Sequence, residues 1–595
     1  MNRRAFVQTL TAGAALMAQS SNAGPGPTRL AAFDYDGVRL RDSRWSRQVE
    51  AAREFYLGLP NDDILHGFRK AAGMPAPGKP LGGWCRENSS TVFGQWLSGF
   101  ARLHRATGDA AVREKASGLM TEWAKTFGTD GNCRMRHYAF DKLAGGLVDM
   151  HLYAGHADAL PFLEKVSAYA QRSFERVPRT VTPSHNTEYY GLPQEWYTLA
   201  ENQYRAWQAT RNEAYRKFAE VWHYQQYWNK FADSILPAGT SGVHAYSHVN
   251  TFGSAAKAYE VTGDATYLNI IRNFYDYMRN TQCYATGGYG PNERFMTPDD
   301  GSLGRALETR SDTFETLCGS WAAFKLSRYL MQFTGEARYG DWIERLFYNG
   351  AGAALPLRPG GRNFYYSDYR TSGGIKTDYW ENFTCCSGTY LQDMADYHNL
   401  IYYKDATDLY VNLYVPSEVQ WGGRSVMQQT DYPEGETSTL TVSGAGKFGL
   451  HLRVPAWSRE MSVALNGAPS GVPCRPGEWA AIDREWSAGD RVEVRIPMRL
   501  RYEAVDRWHP RRVAVMRGPV VLALDYNYHA PYFELPRAEA DLGRWLVADE
   551  SPAVFRVNRP DGRPVRLKFR PFYQTPEDFP YLVYFDLDKA PYALW

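Results

Sequence analysis

The sequence lacks an excess of one charge, and it lacks long hydrophobic runs. Its 67 Lys and Arg residues nearly balance its 65 Asp and Glu residues, giving a formal net charge of +2. This balance gives no reason to expect nucleic acid or an acidic membrane surface as a partner. Past the N-terminal segment, no stretch approaches the roughly 18 apolar residues of a membrane-spanning helix. We therefore predict neither a nucleic-acid partner nor a membrane span.

Cysteine is scarce, and its spacing argues against a disulfide framework. The seven cysteines are an odd number, irregularly spaced, with no Cys-x-x-Cys pair among them. Two of them, Cys385 and Cys386, are adjacent. Adjacent cysteines rarely bridge to each other, because the resulting ring needs a strained peptide. This pair therefore requires another explanation.

Aromatic residues, by contrast, are abundant. The 41 Tyr, 28 Phe and 18 Trp make up 15% of the chain. Aromatic rings stack on the apolar faces of sugars, which is typical of a carbohydrate-binding cleft. A large aromatic core explains the same composition, and composition alone favours the core.

The N-terminus resembles an export signal. Arg3 and Arg4 form a twin-arginine pattern, an apolar run covers residues 10–18, and residues 21–23 supply a small-residue cleavage site. We expect residues 1–23 to be a twin-arginine signal peptide, and the mature protein to be periplasmic or secreted.

Helical periodicity dominates the first two thirds of the chain. A chain of 595 residues is expected to fold into two to four domains. Apolar residues recur at three- and four-residue spacing from about 43 to 402, and a Thr-Gly-Asp-like turn repeats every 47 to 72 residues. Helical hairpins of this length predict an (α/α)6-barrel catalytic domain over residues 28–415. An open α-solenoid is the alternative, although no polar capping repeats are evident.

The period changes from 3.6 to 2 near Asp408. Alternating segments at 408–415, 439–442, 449–454 and 491–496 are typical of antiparallel strands, and Asn466-Gly467 is a hairpin turn signal. These segments predict a β-sandwich over 416–510 and a second, small β domain over 511–595. The expected fold is therefore a multidomain α+β protein, an (α/α)6 barrel followed by C-terminal antiparallel β-sandwich domains.

The strongest candidate for a chemical site combines Glu315 and Cys318 with Cys385 and Cys386. Glu315 and Cys318 are three residues apart at the start of a predicted helix, so their side chains share one face. Three thiolates and a carboxylate suit a tetrahedral Zn²⁺ site. Buried structural cysteines are the alternative, and the spacing alone does not decide between the two.

Two further groups have weaker signals. Glu293 ends a glycine-rich loop and is a candidate general acid, although an exposed loop glutamate is the commoner interpretation of such a residue. His137, Tyr246 and His248 are candidates for binding sugar hydroxyls, although core histidines are at least as common. The spacing of His248 from His244 does not indicate a zinc protease, because the glutamate of that motif is missing.

Taken together, Glu293 and the motifs at 315–318 and 383–388 resemble the β-L-arabinofuranosidase family, glycoside hydrolase family 127, and its relative family 146. Further similar landmarks extend along nearly the whole mature chain, at 341–350, 452–457, 463–467 and 513–519. The residue at 383 is Phe, where the first branch often has another cysteine, and this is more similar to the second branch.

The resemblance implies a retaining, exo-acting glycoside hydrolase that releases β-L-arabinofuranose or a related sugar from plant-type glycans. It implies Zn²⁺ held by one glutamate and three cysteines, with Cys385 as the nucleophile at the anomeric carbon. Glu293 would protonate the leaving oxygen and then activate water. Tyr246 and His248 loosely match positions where the family binds its oligo- or polysaccharide substrate.

One spacing departs from the family. The family usually places its Glu and Cys ligands two residues apart, whereas Leu317 makes the separation three here. Either the helix begins so that Glu315 still reaches the metal, or Glu315 is not a ligand and water takes its place.

Two other functions remain open at this point. A polysaccharide lyase on the same architecture would use a Tyr/His pair such as Tyr246 and His248. A non-catalytic carbohydrate-binding protein would keep the zinc site for structure only.

Overall fold

The structure is a computed structural model that describes residues 26–174, 193–525, 535–558 and 564–588. The predicted signal peptide at 1–23 lies outside these residues. The described chain divides into a helical region followed by three antiparallel-rich sheets.

A closed ring of six inner helices forms the centre of the helical region, within the residues that the structure describes. Each inner helix packs against the next, and the last packs against the first. Outer helices cover this ring, which confirms the predicted (α/α)6 barrel. The inner helices are α3 Ser90–Thr107, α5 His137–Leu152, α7 Ala200–Thr210, α10 Ala245–Thr262, α13 Thr316–Thr334 and α15 Cys385–Leu400. The outer helices are α1 Arg44–Gly58, α4 Ala110–Ala124, α6 Ala159–Ser173, α8 Glu213–Val221, α11 Ala265–Thr281 and α14 Gly340–Asn349. The remaining helices are α2 Asn61–Ala71 and the short α9 Gln225–Trp228, α12 Ser302–Ala306 and α16 Leu542–Trp545.

The repeated Thr-Gly-Asp turns connect inner to outer helices, as their sequence predicts. Gly263 ends α10 with φ = 70°, a left-handed conformation that glycine adopts without strain. The next residue, Asp264, accepts a hydrogen bond from the Thr266 amide and so caps α11. Gly108 and Asp109 repeat this arrangement between α3 and α4. One local signal therefore builds successive hairpins of the barrel.

Two sheets pack together as the sandwich, and both contain strands from the N-terminal end of the chain. The first has the order β1-β6-β7-β11-β14, and the second β13-β12-β15-β10-β9-β8-β2. The strands are β1 Ala31–Ala32, β2 Val38–Leu40, β6 Tyr402–Lys404, β7 Leu409–Val411, β8 Ser417–Trp421, β9 Arg424–Thr430, β10 Thr437–Ser443, β11 Gly446–Arg453, β12 Ser462–Leu465, β13 Ala468–Pro469, β14 Trp479–Trp486 and β15 Arg491–Arg495. Both ends of the predicted 28–415 range thus pair with the sandwich, and the domain limits themselves stay predictions.

A third sheet follows, with a core of its own. Its strands are β16 Leu500–Ala504, β17 Arg512–Arg517, β18 Val520–Asp525, β19 Leu546–Ala548, β20 Phe555–Asn558, β21 Pro564–Pro571, β22 Pro580–Leu582 and β23 Tyr584–Asp586. Strand β22 also pairs with β5 Gly374–Ile375, which comes from a barrel loop. The third sheet therefore supports the loop that leads to Cys385.

A two-stranded ladder in the barrel positions one side of the site. Strand β3 Phe314–Glu315 pairs with β4 Tyr366–Ser367, and Glu315 lies opposite Tyr366. Helix α13 begins directly after β3, and α15 is its neighbour in the ring. Residues near 315, 366 and 385 therefore converge at one end of the barrel.

Candidate active site

Four buried side chains, three thiols and a carboxylate, meet at the start of two neighbouring inner helices. Cys385 and Cys386 are the first two residues of α15, and Cys318 lies in the first turn of α13. Glu315 is the residue immediately before α13. The four potential ligand atoms all lie within 4.8 Å of one another.

The spacing of these atoms suits a tetrahedral metal site. The Cys386 and Cys318 Sγ atoms are 3.5 Å apart, and Glu315 Oε1 lies 3.3 Å from Cys385 Sγ. In a tetrahedral shell with Zn–S of about 2.3 Å, neighbouring sulfurs are about 3.8 Å apart. The second carboxylate oxygen, Glu315 Oε2, is buried without a hydrogen-bond partner. Burying up to four anionic groups together is costly unless a cation compensates them. The donor set therefore fits Zn²⁺.

The extra residue between Glu315 and Cys318 does not remove the carboxylate from the cluster. Glu315 has extended backbone, with φ = −72° and ψ = 95°, because it precedes the helix. From there its Oε1 reaches within 3.6 Å of Cys386 Sγ as well. The start of the helix therefore brings the Glu315 carboxylate into the thiol cluster. This is the geometry of the first of the two alternatives that the spacing left open.

The thiols do not share one electrostatic environment. Burial opposes ionisation of Cys385, but hydrogen bonds from Cys318, Cys386 and Tyr365 outweigh it and hold the pKa of Cys385 well below its usual value. The amides at the start of α15 also favour a thiolate there. Burial raises the pKa of Cys318 and Cys386. Of the three thiols, only Cys385 also lines the cleft described below, so it is the one that a ligand can reach.

Glu293 is buried in the same region, so the interpretation as an exposed loop glutamate is wrong. Asn292 and Glu293 both have left-handed backbone, with φ of 57° and 54°. Such strain in non-glycine residues persists only where the surroundings impose it, and it clusters at functional sites. The Tyr366 hydroxyl donates a hydrogen bond to Glu293 Oε1. This contact fixes the carboxyl towards the thiol cluster, because Tyr366 is the partner of Glu315 across the ladder.

His244 and Glu195 join the site, although sequence reasoning did not select them. The His244 ring lies between two carboxylates, with Nδ1 2.5 Å from Glu195 Oε1 and Nε2 3.4 Å from Glu293 Oε2. Burial lowers the pKa of His244, but the charges and hydrogen bonds of Glu195 and Glu293 together outweigh burial and raise the pKa well above its usual value. The sequence offered a signal only for His244, which begins the motif at 244–248. It offered none for Glu195, because Glu195 is 49 residues away in the sequence.

These groups open onto one cleft with a volume of about 870 Å³, which is within the range of ligand pockets. Carboxylates, a thiol and aromatic rings line it together, which is the composition that sugar chemistry requires. Its lining includes Trp84, Arg134, Glu195, His244, Tyr246, Glu293, Glu315, Tyr365, Tyr366, Tyr379, Glu381 and Cys385.

The three predicted substrate-binding residues occupy different places. Tyr246 lines the cleft, and its hydroxyl accepts a hydrogen bond of 2.9 Å from Lys142 Nζ. His248 does not line the cleft; its ring packs among Tyr197, Tyr224 and Tyr227, and burial lowers its pKa to about 3. The His137 ring packs against Phe174 and Trp222, also outside the cleft lining. Tyr246 and His248 therefore do not form the pair that a lyase would need.

An (α/α)6 barrel with antiparallel sheets behind it, and a cleft of paired carboxylates and aromatic rings, is typical of a carbohydrate-active enzyme. The model of the β-L-arabinofuranosidase GH127 catalytic domain matches residues 37–132 and 118–399, and that of the GH127 middle domain matches residues 408–498. The chain belongs to this family and is a glycoside hydrolase. Neither the lyase nor the non-catalytic alternative has support.

Solved structures show the same fold. A GH127 β-L-arabinofuranosidase from Geobacillus stearothermophilus T6 is 21% identical, with a TM-score of 0.70 over 92% of this chain and 99% of that one. A GH127 β-arabinofuranosidase is 19% identical, with a TM-score of 0.72 over 95% of this chain and 98% of the other. No curated protein matches the sequence. Among the described residues, no helix is both long and apolar enough to cross a bilayer.

Proposed function

We propose that the chain is a retaining, exo-acting glycoside hydrolase that releases β-L-arabinofuranose or a related sugar from plant-type glycans. One observation carries the proposal: Cys385, alone among the three thiols of the cluster, lines the same cleft as a buried carboxyl, Glu293. Tyr365, whose hydroxyl contacts the Cys385 sulfur, and Tyr366, whose hydroxyl donates to the Glu293 carboxylate, are consecutive residues. The two groups are therefore placed for attack and proton transfer on one bound sugar.

Glu315, Cys318, Cys385 and Cys386 would hold Zn²⁺. When bound, the metal keeps the thiols deprotonated at neutral pH and compensates their buried charge. The other groups of potential metal ligands among the described residues contain no cysteine.

The reaction we infer has two steps. In the first, the Cys385 sulfur forms a bond to the anomeric carbon while the glycosidic C–O bond breaks, and Glu293 gives its proton to the leaving oxygen. In the second, Glu293 takes a proton from water, the water oxygen bonds to the anomeric carbon, and the C–S bond breaks. Two inversions give overall retention.

The barrel end of the cleft supports an exo mode of action. Tyr246, His244 and Cys385 are all buried, whereas Trp84, which also lines the cleft, is 37% exposed. A single terminal sugar therefore fits between Cys385 and Glu293 with its aglycone towards the rim. Export by the twin-arginine route, to the periplasm or beyond, is part of the same proposal and rests on residues 1–23 alone.

Replacing the nucleophile tests this function directly. We expect Cys385→Ala to remain folded and to lose at least about 10³-fold in kcat on aryl β-L-arabinofuranoside, since covalent catalysis is removed. Metal analysis of the wild-type protein is expected to give one zinc per chain, and Cys385→Ala is expected to hold less.

Cys474→Ala is the matched control, because Cys474 is a free cysteine outside the cleft. It should keep both zinc and activity. Undiminished turnover by folded Cys385→Ala would reject the nucleophile, and active wild-type protein without zinc would reject the metal.

A further inference from the structure

A row of aromatic rings leads from Cys385 to the surface. The Tyr365 hydroxyl lies 3.4 Å from Cys385 Sγ, and its ring stacks on Tyr379 at 4.8 Å between centroids. The Tyr379 ring in turn lies 5.5 Å from that of Trp380. Tyr365 and Tyr379 line the cleft, and Trp380 follows directly between the lining residues Tyr379 and Glu381, so the row begins at Cys385 and ends beside the cleft.

Trp380, at the end of this row, is unusually exposed. Its exposed fraction is 71%, the highest of the large apolar side chains among the described residues. Packing in the core does not explain this position, since most of the indole faces solvent. Trp84, on the same rim, is 37% exposed, and its Nε1 donates a hydrogen bond to Glu381. Exposed apolar side chains grouped beside a cleft are typical of a ligand-binding surface.

The backbone that carries Trp380 is anchored on both sides. The Tyr379 amide donates to the Asn363 carbonyl, and the Phe383 amide donates to the Gly361 carbonyl. The Trp84 amide donates to the Asn382 carbonyl, two residues after Trp380. The exposed ring is therefore held in place before any ligand arrives, which lowers the entropic cost of binding.

A second cavity of about 470 Å³ adjoins the row, and it shares Tyr366 and Tyr379 with the catalytic cleft. Asp378 lines this cavity, and its Oδ1 is buried without a hydrogen-bond partner. The other oxygen of this carboxylate, Oδ2, lies 3.4 Å from Arg358 Nε, which leaves Oδ1 as an acceptor for a donor such as a sugar hydroxyl. Asp378, Tyr379 and Trp380 thus place one acceptor, one cleft-lining ring and one exposed indole in consecutive residues.

We propose that Asp378, Tyr379 and Trp380 form an outer subsite that binds the sugar residue on the leaving-group side of the scissile bond. This inference rests on the proposed function and adds to it where the next sugar of the glycan binds. That sugar, the aglycone, is a carbohydrate with an apolar face. The sugar cleaved off occupies the buried end of the cleft, so the next residue of the glycan lies towards the rim. There its apolar face stacks on the indole, and a hydroxyl donates to Asp378.

Two substrates separate the subsite from the catalytic centre. Methyl β-L-arabinofuranoside places no ring in the outer subsite, whereas a disaccharide of β-L-arabinofuranose linked to galactopyranose places one there. We expect Trp380→Ala to lower kcat/KM for the disaccharide about five- to tenfold more than for the methyl glycoside, as one lost aromatic contact predicts. Asp378→Asn should lower the same ratio to a smaller extent.

Trp508→Ala is the matched control, because Trp508 is 56% exposed and its chain neighbours, unlike those of Trp380, line neither cavity. It should leave the ratio unchanged. An equal effect of Trp380→Ala on both substrates, or no effect on either, would overturn the subsite.

A binding experiment keeps the subsite distinguishable from the proposed function. Calorimetry measures the affinity of the Cys385→Ala protein for the disaccharide, with and without the additional Trp380→Ala change. Binding weakened about five- to tenfold by Trp380→Ala supports the subsite even if wild-type protein cleaves neither substrate, which would reject only the proposed reaction. Unchanged or undetectable binding overturns the subsite.

Discussion

Glu293 is held in a strained position by its own backbone and by two neighbouring side chains. Its left-handed backbone, the Tyr366 hydroxyl and the His244 ring together fix one orientation of the carboxyl. Side chains with so few alternatives need little reorganisation when a reaction begins, which is the advantage of a preorganised site. The strain at Glu293 is therefore explained by its position between a proton donor and the thiol cluster.

If Glu293 is the acid, its loss should depend on the leaving group. Glu293→Gln keeps the size of the side chain but cannot donate a proton, so kcat/KM for methyl β-L-arabinofuranoside should fall about 10²- to 10⁴-fold. A 2,4-dinitrophenyl glycoside leaves without protonation, so its first step should be much less affected. Steady-state and burst kinetics on both substrates measure the difference. Equal losses on the two substrates in the first step would contradict the assignment.

Single residues were predictable here where their type and spacing form a distinctive pattern. The adjacent cysteines and Glu315 stood out by type and spacing, and the structure brings them together. Glu195 could not be selected, because nothing local marks a glutamate that meets His244 across 49 residues. His248 shows the opposite case: the same residue type, one helical turn from His244, faces an aromatic core.

At the scale of helices and turns, one short signal accounts for much of the barrel. The glycine ends one helix and the following acidic residue begins the next, so local conformational preference alone fixes the hairpin. This is why the barrel could be predicted from a weak repeat. Strands β1 and β2, of two and three residues, could not, since such short segments pair only through distant partners.

The contribution of a capping hydrogen bond to stability can be measured by comparison with a helix start that lacks such a bond. Asp264 accepts from the Thr266 amide at 2.9 Å, whereas Asp158, also at a helix start, makes no side-chain capping bond. We expect Asp264→Ala to lower the free energy of unfolding by about 1 kcal/mol and Asp158→Ala by much less. Thermal unfolding followed by circular dichroism gives both values. Equal shifts of Tm for the two variants would count against the capping explanation.

At the scale of the whole molecule, buried charge joins its parts. Arg453 of the sandwich is fully buried, and it pairs with Asp341 and Glu344 of α14 at 2.7 and 2.9 Å. Removing one partner of such a network leaves the others unpaired in a medium of low polarity. The sandwich and the barrel therefore depend on each other, as the strands contributed by both ends of the barrel also indicate.

A second buried charge inside the barrel should make stability depend on pH. Burial raises the pKa of Asp141 to about 6, although Thr198 and Asn202 donate hydrogen bonds to it. In the unfolded chain its pKa is about 3.9. Between these values the folded state holds a proton that the unfolded state has lost, so stability falls as the pH rises from about 4 to 6.

Asp141→Asn removes this contribution. Relative to wild type, the variant should gain about 2 kcal/mol in stability between pH 4 and pH 6.5, since it has no proton to lose. Urea unfolding of both proteins at pH 4, 5, 6 and 6.5 measures the difference. Parallel curves would show that Asp141 does not titrate in this range.

The two halves of the thiol cluster lie on α13 and α15, and α15 is the last inner helix along the chain. During synthesis, Glu315 and Cys318 emerge about 70 residues before Cys385 and Cys386, and only closure of the ring brings all four together. A growing or partly folded chain therefore has no complete binding site. Capture of a metal ion would report that assembly has finished, and under the export route proposed above it would separate chains ready for translocation from those still folding.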